Sequence, residues 1–165
     1  MATVLITGAN RGIGLEFTRQ LLARGERVVA AYRAVDGATD LQQLVKANPQ
    51  LTLLQLDVAD NESIAAFPKQ LQGEPVDIFI NNVGVYGPRD SEFGKVSGKE
   101  WLDVLQINSV APLLLTQVLI ECLRKGKDRK LLYLTSKMGS IADNGDGGHY
   151  VYRSSSISRI KAISL

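Results

Sequence analysis

Hydrophobic and polar positions alternate along the chain in blocks that predict strands and helices in turn. Five short runs, each nearly continuous in apolar side chains, have the length and composition of buried strands. These runs are residues 3–7, 27–32, 51–56, 76–80 and 131–134. Strands that are apolar along their length need cover on both faces, so the pattern indicates an α/β fold with a parallel sheet. Right-handed crossovers make a doubly wound sheet the simplest topology, with strand order 3-2-1-4-5.

The segments between the strands carry apolar residues at helical spacing. The inner face of the first helix is predicted to hold Ile13, Phe17 and Leu21. We expect Thr39 to cap the second helix and Asn61 the third, because their side-chain oxygens can accept from the first free N–H groups. Pro68 lacks an N–H, and we expect it to break or kink the third helix.

A long helix is predicted over residues 99–123, and it is apolar on nearly every side. Such a helix must be covered all round. One side can lie on the sheet, and we expect the other to meet a second copy of the chain. Misplaced strand boundaries would give a similar pattern. Its most apolar stretch, residues 110–120, is too short to span a bilayer.

Composition excludes several classes of protein. The 165 residues suit one domain spanning 1–165, with 45% apolar and 22% charged residues. A net charge of +2 with scattered basic residues gives no nucleic-acid surface. No targeting segment precedes the first strand, so we expect a cytoplasmic protein with no membrane partner. Cys122 is expected to be a buried small hydrophobe rather than a reactive thiol, and His149, alone, indicates no metal site.

The first strand runs into a glycine-rich turn, Thr7-Gly-Ala-Asn-Arg-Gly-Ile-Gly14. Glycines allow the backbone to approach a pyrophosphate, and the helix that follows offers free N–H groups and a positive dipole end. A glycine-rich turn can also be purely structural. At the first strand–helix junction of an alternating chain it indicates a nucleotide site. The predicted contacts are Gly8, Asn10, Arg11, Gly12, Ile13 and Gly14.

Charge near the second strand favours NADP over NAD. That strand should end beside the adenosine ribose, where an acidic residue would accept from the free 2′-hydroxyl of NAD. Here the chain places Arg33, and Arg11 lies in the glycine-rich turn. Two guanidinium groups suit a 2′-phosphate. The alternative is that both are solvated surface residues and that Asp36 serves NAD.

Four motifs, in order, resemble the short-chain dehydrogenase/reductase family. They are the glycine-rich turn, Asp57-Val58, Asn81-Asn-Val-Gly84 and Leu134-Thr-Ser136, each after a predicted strand. The stretches Ser136-Lys-Met-Gly-Ser-Ile and Gly-Gly-His-Tyr-Val-Tyr-Arg153 resemble its branch of C-factor-like proteins and small carbonyl reductases. The resemblance covers nearly the whole chain and implies a Rossmann-type fold. It also implies cofactor contacts at Asp57, Val58, Asn82 and Gly84.

The resemblance further implies a catalytic tetrad of Asn, Ser, Tyr and Lys. Ser136 would hydrogen-bond the substrate oxygen and Tyr152 would be the general acid, with Tyr150 as a rival. Asn108 would be the asparagine. It has independent support, because Pro112 cannot bond its carbonyl, which then needs another partner. The alternative for Asn108 is an ordinary polar residue at a helix kink.

The lysine of the tetrad has no counterpart. The family's Tyr-x-x-x-Lys spacing falls on Ser156. If the helix continued, its spacing would put Lys161 roughly on the opposite face from Tyr152 and Arg159 on the same face about two turns further along. We therefore expect the tyrosine chemistry to be weakened. Nothing follows Leu165, so the family's sixth and seventh strands are expected to be absent and the fifth strand to be an exposed edge.

These observations lead to one main hypothesis and two alternatives. The main one is an NADP-dependent oxidoreductase that transfers hydride between the nicotinamide and a small carbonyl compound or secondary alcohol. The first alternative is a non-catalytic dinucleotide-binding module with a regulatory or signalling role. The second is an incomplete chain with no function of its own.

Overall fold

A parallel sheet of five strands forms the centre of the protein, whose computed structural model describes residues 1–36, 38–145 and 147–157. The strands are β1 (Thr3–Thr7), β2 (Arg27–Tyr32), β3 (Leu51–Gln55), β4 (Ile78–Asn81) and β5 (Lys130–Tyr133). Their order is β3-β2-β1-β4-β5, and every pair is parallel. The predicted doubly wound sheet is confirmed.

Six α-helices flank the sheet in the described part of the chain. They are α1 (Gly12–Ala23), α2 (Thr39–Ala47), α3 (Asn61–Gln70), α4 (Gly98–Leu105), α5 (Ala111–Lys125) and α6 (Tyr150–Ile157). Side chains of β1 point alternately to the two faces, so Val4 and Ile6 join one core layer and Leu5 joins the other. The first layer includes side chains of α1 and α2, and the second includes side chains of α3 and α5. Both faces are therefore covered.

The predicted inner face of α1 is confirmed at Phe17 and Leu21, which are half-buried against the core, and is wrong at Ile13. Ile13 is 63% exposed, whereas Leu15, Thr18 and Leu22 are buried. The helix begins at Gly12, so Ile13 lies in its opening turn beside a cleft at the edge of the sheet rather than over the core. Periodicity alone predicted the helix correctly, but the centre of its buried face lies about one residue further along the chain than predicted.

The predicted caps of α2 and α3 are each one residue too late. Ala38 occupies the cap position of α2 and makes no side-chain bond there. Asp60 caps α3, its Oδ1 accepting from the Glu62 amide at 2.9 Å. The break expected at Pro68 is not found, because α3 continues to Gln70. Pro68 lies in the last turn of α3, so few helical residues follow the position that lacks an N–H, and the helix ends soon afterwards in any case.

The long helix predicted over residues 99–123 spans 98–125 and contains a π turn, Gln106–Val110. Within it the Ala111 amide donates to the Gln106 carbonyl, five residues back. The turn precedes Pro112, which has no N–H to continue the α-helical pattern. By length and composition alone this helix could cross a membrane. Its inner side, including Leu115 and Leu119, is buried in the core, as in the central helix of an α/β fold.

Two parts of this architecture leave apolar side chains uncovered. On the outer side of the long helix, Leu102, Val110 and Leu113 are 67%, 43% and 44% exposed. At the end of the sheet, Lys130 and Leu132 of β5 are exposed, so β5 is an edge strand among the described residues.

Candidate functional site

The glycine-rich turn between β1 and α1 needs its glycines for two different reasons. Gly8 and Gly12 have φ angles of +65° and +55°, a region that other residues rarely adopt. Gly14 has no positive φ, but a Cβ there would lie 2.3 Å from the Gly8 carbonyl oxygen. The turn is therefore folded back on itself, with α1 beginning directly behind it.

Asn82 holds this turn from the neighbouring strand. Its Nδ2 donates to the carbonyl oxygens of Thr7 at 3.0 Å and Gly8 at 3.1 Å. Its backbone amide donates to the buried Thr7 hydroxyl at 3.1 Å. The end of β4 thus fixes the end of β1 at the point where the chain leaves the sheet.

A cleft of about 550 Å³ opens at the carboxyl edge of the sheet, the position where open α/β sheets bind ligands. Ten of the eleven predicted cofactor contacts line it. They are Gly8, Asn10, Arg11, Gly12, Ile13, Arg33, Asp57, Val58, Asn82 and Gly84. Gly14, the eleventh, lies just behind the turn. The sequence did not single out Val85 and Ile107, which also line the cleft.

The end of the cleft near β2 is rich in unpaired positive charge. Arg11 and Arg33 are exposed and line the cleft, and neither forms a salt bridge with any residue that the structure describes. The first turn of α1, of which Gly12 and Ile13 line the cleft, carries no acidic residue of its own. Asp36 also lines this end. The site can accept an anion, with one carboxylate close to it.

The third strand contributes a less charged wall. The Asp57 carboxylate accepts from the Ala59 amide at 2.9 Å, and the Asp57 amide donates to the Ser63 hydroxyl at 3.0 Å. Val58 is 7% exposed. These bonds fix the turn between β3 and α3 where the two side chains meet the cleft.

Asn108 lies fully buried in the π turn, and its side-chain amide joins two distant segments. Its Oδ1 accepts from the Val85 amide at 2.9 Å, and its Nδ2 donates to the Val85 carbonyl at 2.8 Å. The same Nδ2 donates to the Ser155 hydroxyl at 2.9 Å. The Ser155 hydroxyl in turn donates to the Tyr152 carbonyl at 2.9 Å. Asn108 therefore positions both the loop after β4 and helix α6.

Ser136 and Tyr152 lie on two elements that pack together, and neither residue is part of the lining of the cleft. Ser136 opens a short 3₁₀ turn, Lys137–Gly139, and its hydroxyl accepts from the Met138 amide at 3.2 Å. Tyr152 is half-buried in α6, while Tyr150 is 40% exposed. Gly139 lies so close to α6 that a Cβ on it would meet the Ser156 backbone at 2.9 Å.

Two residues that the sequence analysis did not single out for a site, Tyr86 and His149, are linked to Tyr152 by direct contacts. The Tyr86 ring stacks on the Tyr152 ring, with centroids 4.6 Å apart and planes at 28°. The Tyr86 hydroxyl hydrogen-bonds Nδ1 of His149 at 3.0 Å. Tyr86 follows the Asn-Asn-Val-Gly motif by two residues, but no local pattern distinguishes it from any loop tyrosine.

Ser156 is 4% exposed, and its hydroxyl has no hydrogen-bond partner in the part of the chain that the structure describes. Arg159 and Lys161, considered above as replacements for a lysine at this position, lie outside the described residues.

Away from the cleft, burial shifts the pKa of two titratable groups. Burial raises the pKa of the Cys122 thiol, which confirms the prediction of a buried cysteine. Burial also raises the pKa of the Tyr133 phenol, although its hydrogen bond with Thr116 acts in the opposite direction.

Comparison with known proteins places this arrangement among its relatives. The family model described as short chain dehydrogenase matches residues 2–155. The reductase FabG of Escherichia coli (strain K12), which acts on 3-oxoacyl-(acyl-carrier-protein), is 26% identical over 162 residues, covering 97% of this chain and 65% of that protein. The C-signal protein of Myxococcus xanthus is 40% identical over 90 residues, or 54% of each chain.

Solved structures agree with the sheet order described above. The NADPH-bound carbonyl reductase from chicken fatty liver superposes with a TM-score of 0.85 at 31% identity, covering 96% of this chain and 66% of that one. The chain thus spans about two thirds of the length of such relatives. Because the family match extends over almost all described residues and the fold agrees, this chain belongs to the short-chain dehydrogenase family.

Proposed function

We propose that this protein is an NADP-dependent oxidoreductase that interconverts a small carbonyl compound and the corresponding secondary alcohol. The observation that carries the proposal is the cleft at the carboxyl edge of the sheet, which is lined by the folded glycine turn and by two arginines that form no salt bridge with any described residue. NADP would supply the hydride when bound.

The cleft suits a dinucleotide diphosphate next to α1. Side chains at Gly8 and Gly14 would fill the space where the backbone folds closely, so the turn keeps its N–H groups accessible. Arg11 and Arg33 would hold a 2′-phosphate by charge-assisted hydrogen bonds. Asp36 is the residue that would favour NAD instead.

Ser136 and Tyr152 would act at the reacting oxygen. The serine hydroxyl would donate to the carbonyl oxygen, and the tyrosine would deliver the proton as the carbonyl is reduced. Asn108 would act through others, because its amide is committed to Val85 and Ser155. It would hold the cleft wall and the helix of the tyrosine in register.

A non-catalytic dinucleotide-binding module remains the second candidate, and position 156 favours it. Relative to the family's Tyr-x-x-x-Lys, that position holds a buried serine pressed against the 3₁₀ turn. No cation would then assist Tyr152 from the next turn of α6. If the protein is an enzyme, the lack of this cation beside Tyr152 would make its turnover slow.

We further propose that two copies associate through the long helix and that the protein works in the cytoplasm. The exposed side chains of Leu102, Val110 and Leu113 on the long helix support the association, since exposed apolar patches commonly mark a surface that meets a partner.

Two measurements test the proposed function. Fluorescence titration should show tighter binding of NADPH than of NADH, with the difference lost in Arg33→Ala. NADPH oxidation with aldehydes and ketones should give turnover that Tyr152→Phe abolishes and Tyr150→Phe retains. NADPH binding without turnover would favour the non-catalytic module, and failure to bind either nucleotide would exclude both.

A further inference from the structure

A second cavity, of about 420 Å³, lies next to the nucleotide cleft and is lined by Tyr86, Gly87, Arg89 and His149. The nucleotide cleft includes Val85, and this cavity begins at the next residue of the same loop. The Tyr86 ring also stacks on Tyr152. The cavity therefore adjoins the tyrosine that would protonate the substrate.

Positive charge at this cavity has no carboxylate partner among the residues that the structure describes. Arg89 is exposed and forms no salt bridge with any residue in the ranges 1–36, 38–145 and 147–157. The neighbouring carboxylate of Asp90 is held by Lys95, with both oxygens at 3.1 Å from the ammonium group. Since this pairing keeps Asp90 occupied, Arg89 is available to an external anion.

The walls of the cavity are fixed by packing. Gly87 has a φ of +81°, and a Cβ there would lie 2.7 Å from the Val104 side chain, so the loop is pressed onto α4. Tyr86 is held by its stack on Tyr152 and by its bond to Nδ1 of His149. About 40% of the Tyr86 surface stays exposed, which offers a flat apolar wall beside the guanidinium.

We infer that this cavity binds the anionic end of the substrate, and that the preferred substrates are planar carbonyl compounds that carry a carboxylate. A guanidinium group matches a carboxylate in a two-point hydrogen bond, and an aromatic wall matches a flat ring. A volume of this size accommodates a single substituted ring. The inference rests on the proposed function for the identity of the reacting group, but the anion site stands on its own contacts.

The test compares two ketones that differ in charge, 4-acetylbenzoate and 4′-methylacetophenone, by NMR titration of the whole chain without nucleotide. We expect the carboxylate to bind with a Kd about tenfold lower, as one charge-assisted bidentate contact would give. Arg89→Met should remove this preference and Arg89→Lys should keep part of it. Arg24→Met, an exposed arginine at the far end of α1, should keep all of it.

Equal Kd values for the two ketones in the unmodified chain would overturn the inference. So would a preference that survives Arg89→Met in a protein whose circular dichroism is unchanged, or one that Arg24→Met removes equally. A separate NADPH titration distinguishes the two proposals. If the unmodified chain prefers the carboxylate but does not bind NADPH, the proposed enzymatic function is wrong and the anion site is retained.

Discussion

Neighbouring atoms at the glycine-rich turn leave no space for a side chain. Gly14 is the clearest case, because an added Cβ would lie 2.3 Å from the Gly8 oxygen and 2.6 Å from Nδ2 of Asn82. Neither group can move freely, since Asn82 bonds the carbonyls of both Thr7 and Gly8. A single methyl group here disturbs the whole turn.

Gly14→Ala should therefore weaken NADPH binding by at least about tenfold and lower the free energy of unfolding by about 1–3 kcal/mol, the usual cost of overpacking. Fluorescence titration and urea unfolding measure the two effects. Gly98→Ala is the matched control, because no heavy atom lies within 4 Å of its added Cβ. Unchanged nucleotide affinity in Gly14→Ala would show that the turn does not form the phosphate site.

Two adjacent buried serines offer a sharper comparison. The Ser155 hydroxyl accepts from Asn108 and donates to the Tyr152 carbonyl, whereas the Ser156 hydroxyl has no partner among the described residues. Ser155→Ala should lower the free energy of unfolding by about 1–3 kcal/mol, because it removes the acceptor for one Nδ2 hydrogen of the buried Asn108 and leaves only its bonds to Val85. Ser156→Ala should leave it unchanged or raise it by about 1 kcal/mol, because it removes an unpaired buried hydroxyl. Urea denaturation of both variants is the measurement, and equal losses would contradict this assignment.

At the scale of elements, Asp77 joins three parts of the sheet just before β4. Its carboxylate accepts from the Thr3 amide at 2.7 Å and from the Lys127 amide at 2.6 Å. Burial alone would raise the pKa of Asp77, but the backbone N–H groups of Thr3, Lys127 and Asp128 outweigh it and hold the pKa below the ordinary value. The carboxylate therefore stabilises the fold when ionised.

The lowered pKa of Asp77 determines how the stability of the fold depends on pH. A carboxyl group whose pKa is lower in the folded state adds stability above its unfolded pKa, near 3.9, and loses it as the pH falls through the folded value. Asp77→Asn should lower the free energy of unfolding at neutral pH and make acid unfolding below about pH 4 less steep. Thermal unfolding between pH 2 and pH 7 checks it. Asp103→Asn, which breaks only an exposed pair with Lys99, should change little.

Sequence patterns predicted these elements well and their ends less well. The presence of the strands followed from apolar runs separated by helices, and all five predicted strands are present. Caps were misplaced because Asp60 and Asn61 are both good capping residues, and only the three-dimensional path of the chain decides which one turns into the helix. Pro112 indicated an irregular helix, but a π turn with Asn108 at its centre depends on contacts with Val85 and Ser155 far along the sequence.

At the scale of the whole molecule, the long helix leaves an apolar stripe uncovered. If two copies associate there, Leu113→Glu should convert the protein from dimer to monomer in sedimentation equilibrium. Leu132→Glu places the same charge on a leucine of similar exposure, on β5 instead of the helix, and should leave the dimer intact. A protein that is monomeric without any substitution would rule out this interface.

The candidate site was only partly accessible from sequence for a related reason. The cleft at the carboxyl edge of the sheet is built from turns that directly follow strands, so the motifs at residues 8–13, 57–58 and 82–84 pointed to residues that line it. The contact of Tyr86 with His149 and Tyr152 joins residues more than sixty positions apart. No local spacing reports such a contact, because it depends on how the loop after β4 packs on α4 and α6.

The π turn also determines which neighbours the two halves of the long helix face. A turn that holds one residue more than an α-helical turn rotates everything beyond it by about 100° around the axis. Thus α4 lies against α6, while α5 lies against α3 and β4. Deleting a single residue, such as Ser109, would shorten the long helix by a negligible length but would rotate the leucines of α5 out of the core.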